Sequence, residues 1–409
     1  MGKAAVIRLL AVAVALSLLA LAPPANAAVP PPPKLPVRAA LLTVFSTGQH
    51  LYGFHANEEL PIASTTKLMT ALQTLEHASL NDTFKDPNWH PAPVDSQIGL
   101  IPGEPMSVRD LMVAMLVPSA DDAAESLAYN VGGRSIPHFL QMMNRAAHQL
   151  GLTHTHYTTP VGLDTPGNHS SATDLIKLAA YLLERYPFFT HVVGLTRAVL
   201  RTGYHPRAVV SRNTLLGRVP WIHGVKTGHT LDAGYVLVAD GRRRGMTLLS
   251  AVLGTPSEAA RDASTLALLD WGFAHFRMAR PVRAGSVLAR PSFNGDSSSH
   301  VDVLAPRTVS WVIPRRSHLR VRLTLRHDLN GPLSEHARVG TATVLDGPKT
   351  LTQVPLVLAR AIPGLPWPTK VARFVTKPYT LFPLIAALTM AALLIAVLWW
   401  SRRRVSTPA

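Results

Sequence analysis

Residues 60–76 read LPIASTTKLMTALQTLE, a small polar cluster that runs straight into an apolar repeat. Lys67, Leu68, Met69, Ala71 and Leu72 follow Ser64 and Thr65, so the pattern predicts a helix over 63–80 with Ser64 and Thr65 as cap candidates. In that frame Ser64 and Lys67 are i and i+3 neighbours on one helix face. A serine hydroxyl is a poor nucleophile at neutral pH and needs a base beside it. At a helix N-terminus the free N–H groups and the dipole also favour negative charge on an attacking or developing oxyanion. Ser-x-x-Lys alone is common by chance. Its weight comes from two further strings, Ser119-Ala120-Asp121, 55 residues after Ser64, and Lys226-Thr227-Gly228, 107 residues beyond that.

Working outward, segments 39–46 and 50–56 flank Ser46-Thr47-Gly48-Gln49 and predict a hairpin. A mostly helical stretch follows from 63 to about 185. Within it Ser107-Val108-Arg109-Asp110 reads as a capping box, opening a helix that ends near Pro118. The string 119–121 is therefore expected on a short loop before a helix that starts near Asp122. Strands are expected at 221–229, 234–239 and 246–253, and a last helix at 257–276. Strands at both ends with helices between them predict an α/β fold: an antiparallel sheet with helices on its faces, plus a helical subdomain. The three strings then converge where these parts meet, which a cleft requires.

The chain has 409 residues, no cysteine and a formal net charge of +16. Disulfides, thiol nucleophiles and cysteine metal sites are thereby excluded. The charge suits an anionic membrane surface or an acidic wall polymer, and no nucleic-acid motif accompanies it. Lys3 and Arg8, an apolar run over 9–21 and Ala25-Asn26-Ala27 form a secretory signal pattern over 1–27. Residues 28–37 are a proline-rich lead-in. At the far end, 381–400 carry no charge and are long enough to cross a bilayer, with Pro383 in the first turn. Trp399 and Trp400, followed by Arg402, Arg403 and Arg404, place the tail 401–409 in the cytoplasm and the body outside. Between these lie a region at 38–278 holding the three strings, a β-rich region at 281–357 and a linker at 358–380. The β-rich region alternates in "HVDVLAP", "VSWVIP" and "LRVRLTLRHDL", with turn signals at Asn294-Gly295, Asn330-Gly331 and Asp346-Gly347.

S-x-x-K, S-D-N and K-T-G form the motif set of penicillin-binding proteins and class A β-lactamases. The wider text also fits. LPIASTTKLMTALQTLE, LMVAMLVPSADDAAESLA, LGLTHTHYTTPVGLDTPGNHSSATDL, VKTGHTLDAGYVLVAD and RDASTLALLDWGF occur in order. They resemble the low-molecular-weight penicillin-binding proteins, the serine-type D-Ala-D-Ala carboxypeptidases of peptidase family S11. The resemblance covers about residues 36–276 and implies the DD-peptidase/β-lactamase-like fold, then a small all-β domain and a C-terminal transmembrane helix. It implies Ser64 as nucleophile, Lys67 as general base and Ser119 as proton relay to the leaving amine. It further implies Asp121, Lys226, Thr227, Gly228, His229 and Arg261 as substrate-binding residues, with Ser64 and His229 N–H groups as the oxyanion hole. The implied substrate is a peptidoglycan stem peptide ending in D-Ala-D-Ala, β-lactams are the implied inhibitors, and no cofactor or metal is implied.

Two positions depart from the family pattern. Asp121 stands where asparagine is usual. Ionised aspartate can only accept hydrogen bonds, and its charge favours protonated Lys67. His223 stands where an acidic residue is common, and the sequence gives no mechanism for it. His154 and His156, an i, i+2 pair, invite a zinc site, but no His-Glu-x-x-His string occurs. A β-lactamase, a DD-endopeptidase and a non-enzymatic penicillin-binding scaffold remain alternatives at this stage.

Overall fold

The computed structural model describes residues 29–404, apart from 90, 93, 328, 366, 376 and 377. The signal pattern at 1–27 and the tail beyond 404 lie outside the described residues. The chain forms two compact units, one running to Ala279 together with Trp311–Ser317, the other Arg280–Ser310 together with His318 onward.

The first unit is built on five strands, β1 (Ala39–Val44), β2 (His50–Phe54), β3 (Ile222–Thr230), β4 (Gly234–Arg243) and β5 (Met246–Thr255). They lie in the order β2-β1-β5-β4-β3, every pair antiparallel. Strand β1, AALLTV, is buried at every position because both faces of the sheet are covered. Its side chains alternate between two cores. Ala39 and Leu41 meet the helical subdomain, while Ala40, Leu42 and Val44 meet Leu268, Leu269 and Phe273 of the last helix.

The helices are α1 (Lys67–His77), α2 (Val108–Leu116), α3 (Asp121–Val131), α4 (Ile136–Gln149), α5 (Ala172–Arg185), α6 (Pro187–Val193) and α7 (Glu258–His275). The start of α1 differs from the expectation. Ala63–Thr66 is a separate 3-10 turn, and neither Ser64 nor Thr65 caps the helix. The Thr65 hydroxyl instead donates back to the Ile62 carbonyl at 2.6 Å, tightening the turn. The helix also stops at His77 rather than at residue 80. Asp121 is the first residue of α3, not part of the preceding loop.

The box at Ser107 is half as expected. Its hydroxyl accepts from the Asp110 N–H, but the Asp110 carboxylate accepts from Arg201 N, Thr202 N and Thr202 Oγ1. Two short hairpins escape the sequence reading, Thr83–Lys85 with Pro105–Ser107 and Arg197–Leu200 with Arg207–Val210. What joins them is a buried bidentate pair, Arg207 to Glu104 at 2.8 and 2.9 Å. Trp311–Ser317, read from sequence as part of the β-rich region, groups with the first unit because Val312 is buried among the β1 and α7 side chains.

The second unit holds a five-stranded antiparallel sheet, in the order Val287–Ala289, Val303–Leu304, Lys349–Leu358, Arg338–Asp346, Leu319–Leu325. Asn294-Gly295 and Asp346-Gly347 make hairpin turns, with φ of 55° and 66° at the first pair and 57° at Gly347. Asn330-Gly331 does not, and lies in the longer connection before Arg338. Two helices follow, α8 (Trp367–Val375) and α9 (Pro378–Arg404). Because α9 begins at Pro378, Pro383 lies in its second turn, and Pro378 takes the first position where the missing N–H costs nothing. Phe382–Ser401 within α9 is the one segment among the described residues that is long and apolar enough to cross a membrane.

Candidate active site

The three strings meet at one cleft of the first unit, about 720 Å³ in volume, lined by Ser64, Ser119, Asp121, Thr227, Gly228 and Arg261 among others. Lys67 opens α1 and is wholly buried. Its Nζ lies 2.8 Å from Ser64 Oγ and 2.8 Å from the Val161 carbonyl, and it is paired with the Asp121 carboxylate. Burial pushes the Lys67 amine below its ordinary value, against the upward pull of Asp121. Burial likewise pushes the Asp121 carboxyl up, against the downward pull of Lys67. For each group burial disfavours the charged form and the partner favours it. An uncharged amine in this place can accept the Ser64 proton. The sequence expectation that Asp121 holds Lys67 protonated is therefore opposed by burial, which is the larger effect.

A second serine–lysine pair faces the first. Lys226, on β3, is buried and donates to Ser119 Oγ at 2.8 Å and to the Thr227 carbonyl at 2.9 Å. Burial, with repulsion from Lys67 next, drops its pKa well below the ordinary lysine value. Ser119 holds a φ of 69°, a left-handed conformation that costs a non-glycine residue about 1–3 kcal/mol. The turn into α3 demands it, and it presents the hydroxyl to Lys226.

Two glycines let β3 and the loop between α4 and α5 close on the nucleophile turn. A Cβ on Gly228 would lie 3.0 Å from Ala63 Cβ and from the Ile62 carbonyl, and 3.1 Å from Ser64 N. Gly162 has φ +91°, and a Cβ there would fall 2.0 Å from the Ala63 carbonyl. Gly162 and the Val161 carbonyl were not singled out from sequence. Their only signal was membership in the string 150–175.

The remaining expected residues are more dispersed. The His229 ring stacks on Tyr235 at 3.9 Å between centroids. Arg261 reaches the cleft but is held by Asp262 at 2.7 Å and Glu258 at 3.0 Å. Arg212, unforeseen, also lines the cleft. Glu125, one turn along α3 from Asp121, is pushed up to about 7 by burial and then by the Asp121 charge. His223 is exposed, and an acid lies across from this stretch. Asp240 on β4, paired in register with Gly224, is fully buried. His154 lies in a turn, not on a strand beside His156. His154 lies 3.6 Å from Glu59, and His156 bridges to His169.

With this geometry in view, the likenesses to known proteins are specific. The family profile described as D-alanyl-D-alanine carboxypeptidase, peptidase S11, matches residues 26–257. The chain belongs to this family. A second profile, described as the C-terminal domain of penicillin-binding protein 5, matches residues 276–363. D-alanyl-D-alanine carboxypeptidase DacD of Salmonella typhimurium is 31% identical over 84% of this chain and 90% of its own length. DacC of Escherichia coli is 32% identical over 80% of this chain and 84% of its own length. Among solved structures, penicillin-binding protein 5 of Haemophilus influenzae superposes with a TM-score of 0.65 at 27% identity, covering 81% of this chain and 99% of that one. The Streptomyces K15 DD-transpeptidase gives 0.57 at 29% identity, covering 60% of this chain and 99% of that one.

Proposed function

We propose that this S11-family protein is a serine D-Ala-D-Ala carboxypeptidase that removes the terminal D-alanine from peptidoglycan stem pentapeptides. The observation that carries the reading is the pair of serine–lysine contacts converging on one cleft, Ser64 with Lys67 and Ser119 with Lys226. Ser64 Oγ attacks the carbonyl of the penultimate D-alanine, and its proton passes to neutral Lys67. The N–H groups of Ser64 and His229 receive the developing oxyanion. Collapse of the tetrahedral intermediate breaks the C–N bond, and the departing amine takes a proton through Ser119. Lys226, Thr227 and Arg261 hold the substrate carboxylate, and Gly228 admits the extended peptide beside β3. Water, deprotonated by Lys67, then cleaves the ester and restores Ser64. A β-lactam opens on Ser64 by the same first step.

The body of the protein is read as extracytoplasmic and anchored by α9. The segment Phe382–Ser401 has a mean hydropathy of 2.4 and none of it is buried, and it ends in two tryptophans and then three arginines. The activity is tested by incubating the detergent-solubilised full chain with a muropeptide pentapeptide and weighing the products. Loss of one alanine per stem is expected. A chain that takes up a fluorescent penicillin yet releases no D-alanine is a scaffold, and the enzymatic reading fails. Retention of the chain in the membrane pellet after alkaline carbonate washing is the expected mark of the anchor.

A further inference from the structure

The strand Leu319–Leu325 ends the sheet of the second unit, so one of its backbone edges is unpaired. Its sequence, LRVRLTL followed by Arg326, alternates strictly. Val321 and Leu325 pack toward the unit's core, while Arg320, Arg322 and Thr324 face solvent. The guanidinium groups of Arg320, Arg322 and Arg326 make no hydrogen bond or ion pair with the described residues, while the Arg326 backbone N–H donates to the Val339 carbonyl at 2.9 Å. Their neighbours across the register are Leu345 and Thr343 for the first two, none of them acidic. Of the acids described in this unit, three are engaged elsewhere. Asp302 pairs with Arg290, Asp296 accepts from Ser298 and Ser299, and Glu335 lies 3.8 Å from His336. Asp346, opposite Leu319, forms no ion pair among the described residues.

The chain leaves the sheet beside the connection that follows this row of arginines, here called the comb. Ile362 bridges to Leu333 in the connection that follows the arginine strand, and a Cβ on Gly331 would fall 2.1 Å from the Pro363 carbonyl. From Ile362 the tether to Phe382 includes the nine residues of α8, so its reach is at most about 50 Å at the usual rises per residue. A tether this short keeps the comb at a high effective concentration against the bilayer that α9 enters. Repulsion between uncompensated guanidiniums is relieved by the lipid phosphates of an anionic surface.

We infer that the edge strand Leu319–Leu325, with Arg326, is a docking surface for the anionic headgroups of the membrane that α9 enters, laying the β unit onto the bilayer. The inference rests on the membrane-anchor reading. Arginines on an edge also discourage strand pairing, but that role does not predict any dependence on lipid charge.

The test exploits the absence of cysteine from the chain. Thr324→Cys in the full chain, labelled with a fluorescent donor, is placed in nanodiscs carrying a headgroup-linked acceptor. Transfer is compared between phosphatidylcholine discs and discs with a third phosphatidylglycerol. Higher transfer in the anionic discs is expected, collapsing toward the neutral value in about 1 M salt, where screening is within a few ångströms. The Arg320→Glu, Arg322→Glu, Arg326→Glu variant should show the neutral value in both discs and acylate with penicillin as before. Equal transfer in the two discs, from a chain that has entered both, overturns the docking surface and leaves the anchor standing. So does a response in neutral discs to soluble polyphosphate that matches the anionic-disc signal, since the partner is then a free polyanion. A chain that stays out of the discs overturns the anchor reading and this inference with it.

Discussion

Two edge strands, each closing a five-stranded antiparallel sheet, meet opposite fates in this protein. In β3 the run Gly224–Val225–Lys226–Thr227–Gly228 is buried throughout, although the strand has a sheet neighbour on one side only. The 3-10 turn Ala63–Thr66 lies over it, close enough that Gly228 has no room for a Cβ. In Leu319–Leu325 no position is fully buried, and the exposed side chains include two arginines without side-chain partners among the described residues. Both solve the hazard of an unpaired edge, one by cover and the other by charge. The covered edge can hold a buried lysine at lowered pKa beside a cleft, because its surroundings exclude water. The charged edge can only act at a distance and through solvent.

The largest effect expected on this contrast is at the covered edge. Ser64→Ala should abolish covalent labelling by a fluorescent penicillin, since Ser64, beside the Lys67 amine, is partly exposed while Ser119, the other serine paired with a buried lysine, is itself buried. Labelling that persists, read by mass mapping of the adduct, removes the nucleophile assignment. Next is Gly228→Ala. The added methyl meets backbone at Ile62 and Ser64 and cannot be relieved by a side-chain rotation. A shift of a few tenths of an ångström between β3 and the nucleophile turn should lower the acylation rate by roughly tenfold to a hundredfold in a protein that still folds. An unchanged rate would mean that β3 is not held against the nucleophile as tightly as the covered edge requires.

Asp121→Asn comes third. The Asp121 carboxylate raises the Lys67 pKa from the value that burial alone would set, so removing its charge lowers it further. The base form of Lys67 then persists to lower pH, and the lower limb of the pH profile for acylation moves down. At neutral pH the rate should rise by roughly tenfold for each ~1.4 kcal/mol of barrier recovered. Glu125, pushed up to about 7, also shapes a profile near neutrality, so Glu125→Gln in both backgrounds separates its contribution from that of Asp121. A profile that does not move, or acylation that falls, would indicate that protonated Asp121 donates to the substrate and is adapted to this site.

Much of the covered edge was legible in the sequence. The residue types that carry acyl-transfer chemistry are fixed by it, so Ser64, Lys67, Ser119 and Lys226 stood out in order, as did the strands that bear them. The start of α1 was not legible in detail. Ser64 followed by hydroxyl residues reads as a cap by composition, while the observed 3-10 turn packs against Gly162 and Gly228 from distant parts of the chain. The two short hairpins were missed because Glu104 and Arg207, 103 residues apart, supply the buried pair that holds them. The upward pull of Asp121 on Lys67 was visible in the sequence as charge type, while the burial that opposes it was not. The alternation around Arg320 was seen, but the absence of acidic partners depends on register, which only the sheet supplies.

The smallest effect belongs to the charged edge. Side chains two residues apart on one strand face lie roughly 7 Å apart. Two unit charges at that distance repel by about 0.6 kcal/mol in water before screening, and by less at physiological salt. Arg320→Thr with Arg322→Thr removes that repulsion and places β-branched residues on a strand, which suits them. In detergent, away from any anionic surface, the double variant should therefore gain a few tenths of a kcal/mol at low salt and none at high salt, by thermal unfolding of the full chain. Penicillin acylation should be unchanged, because neither residue lines the cleft. A loss of more than about 1 kcal/mol, independent of salt, would show that the arginine stems hold the sheet together by packing. The charged edge would then be a structural element like the covered one, and the contrast between the two would reduce to which residues do the covering.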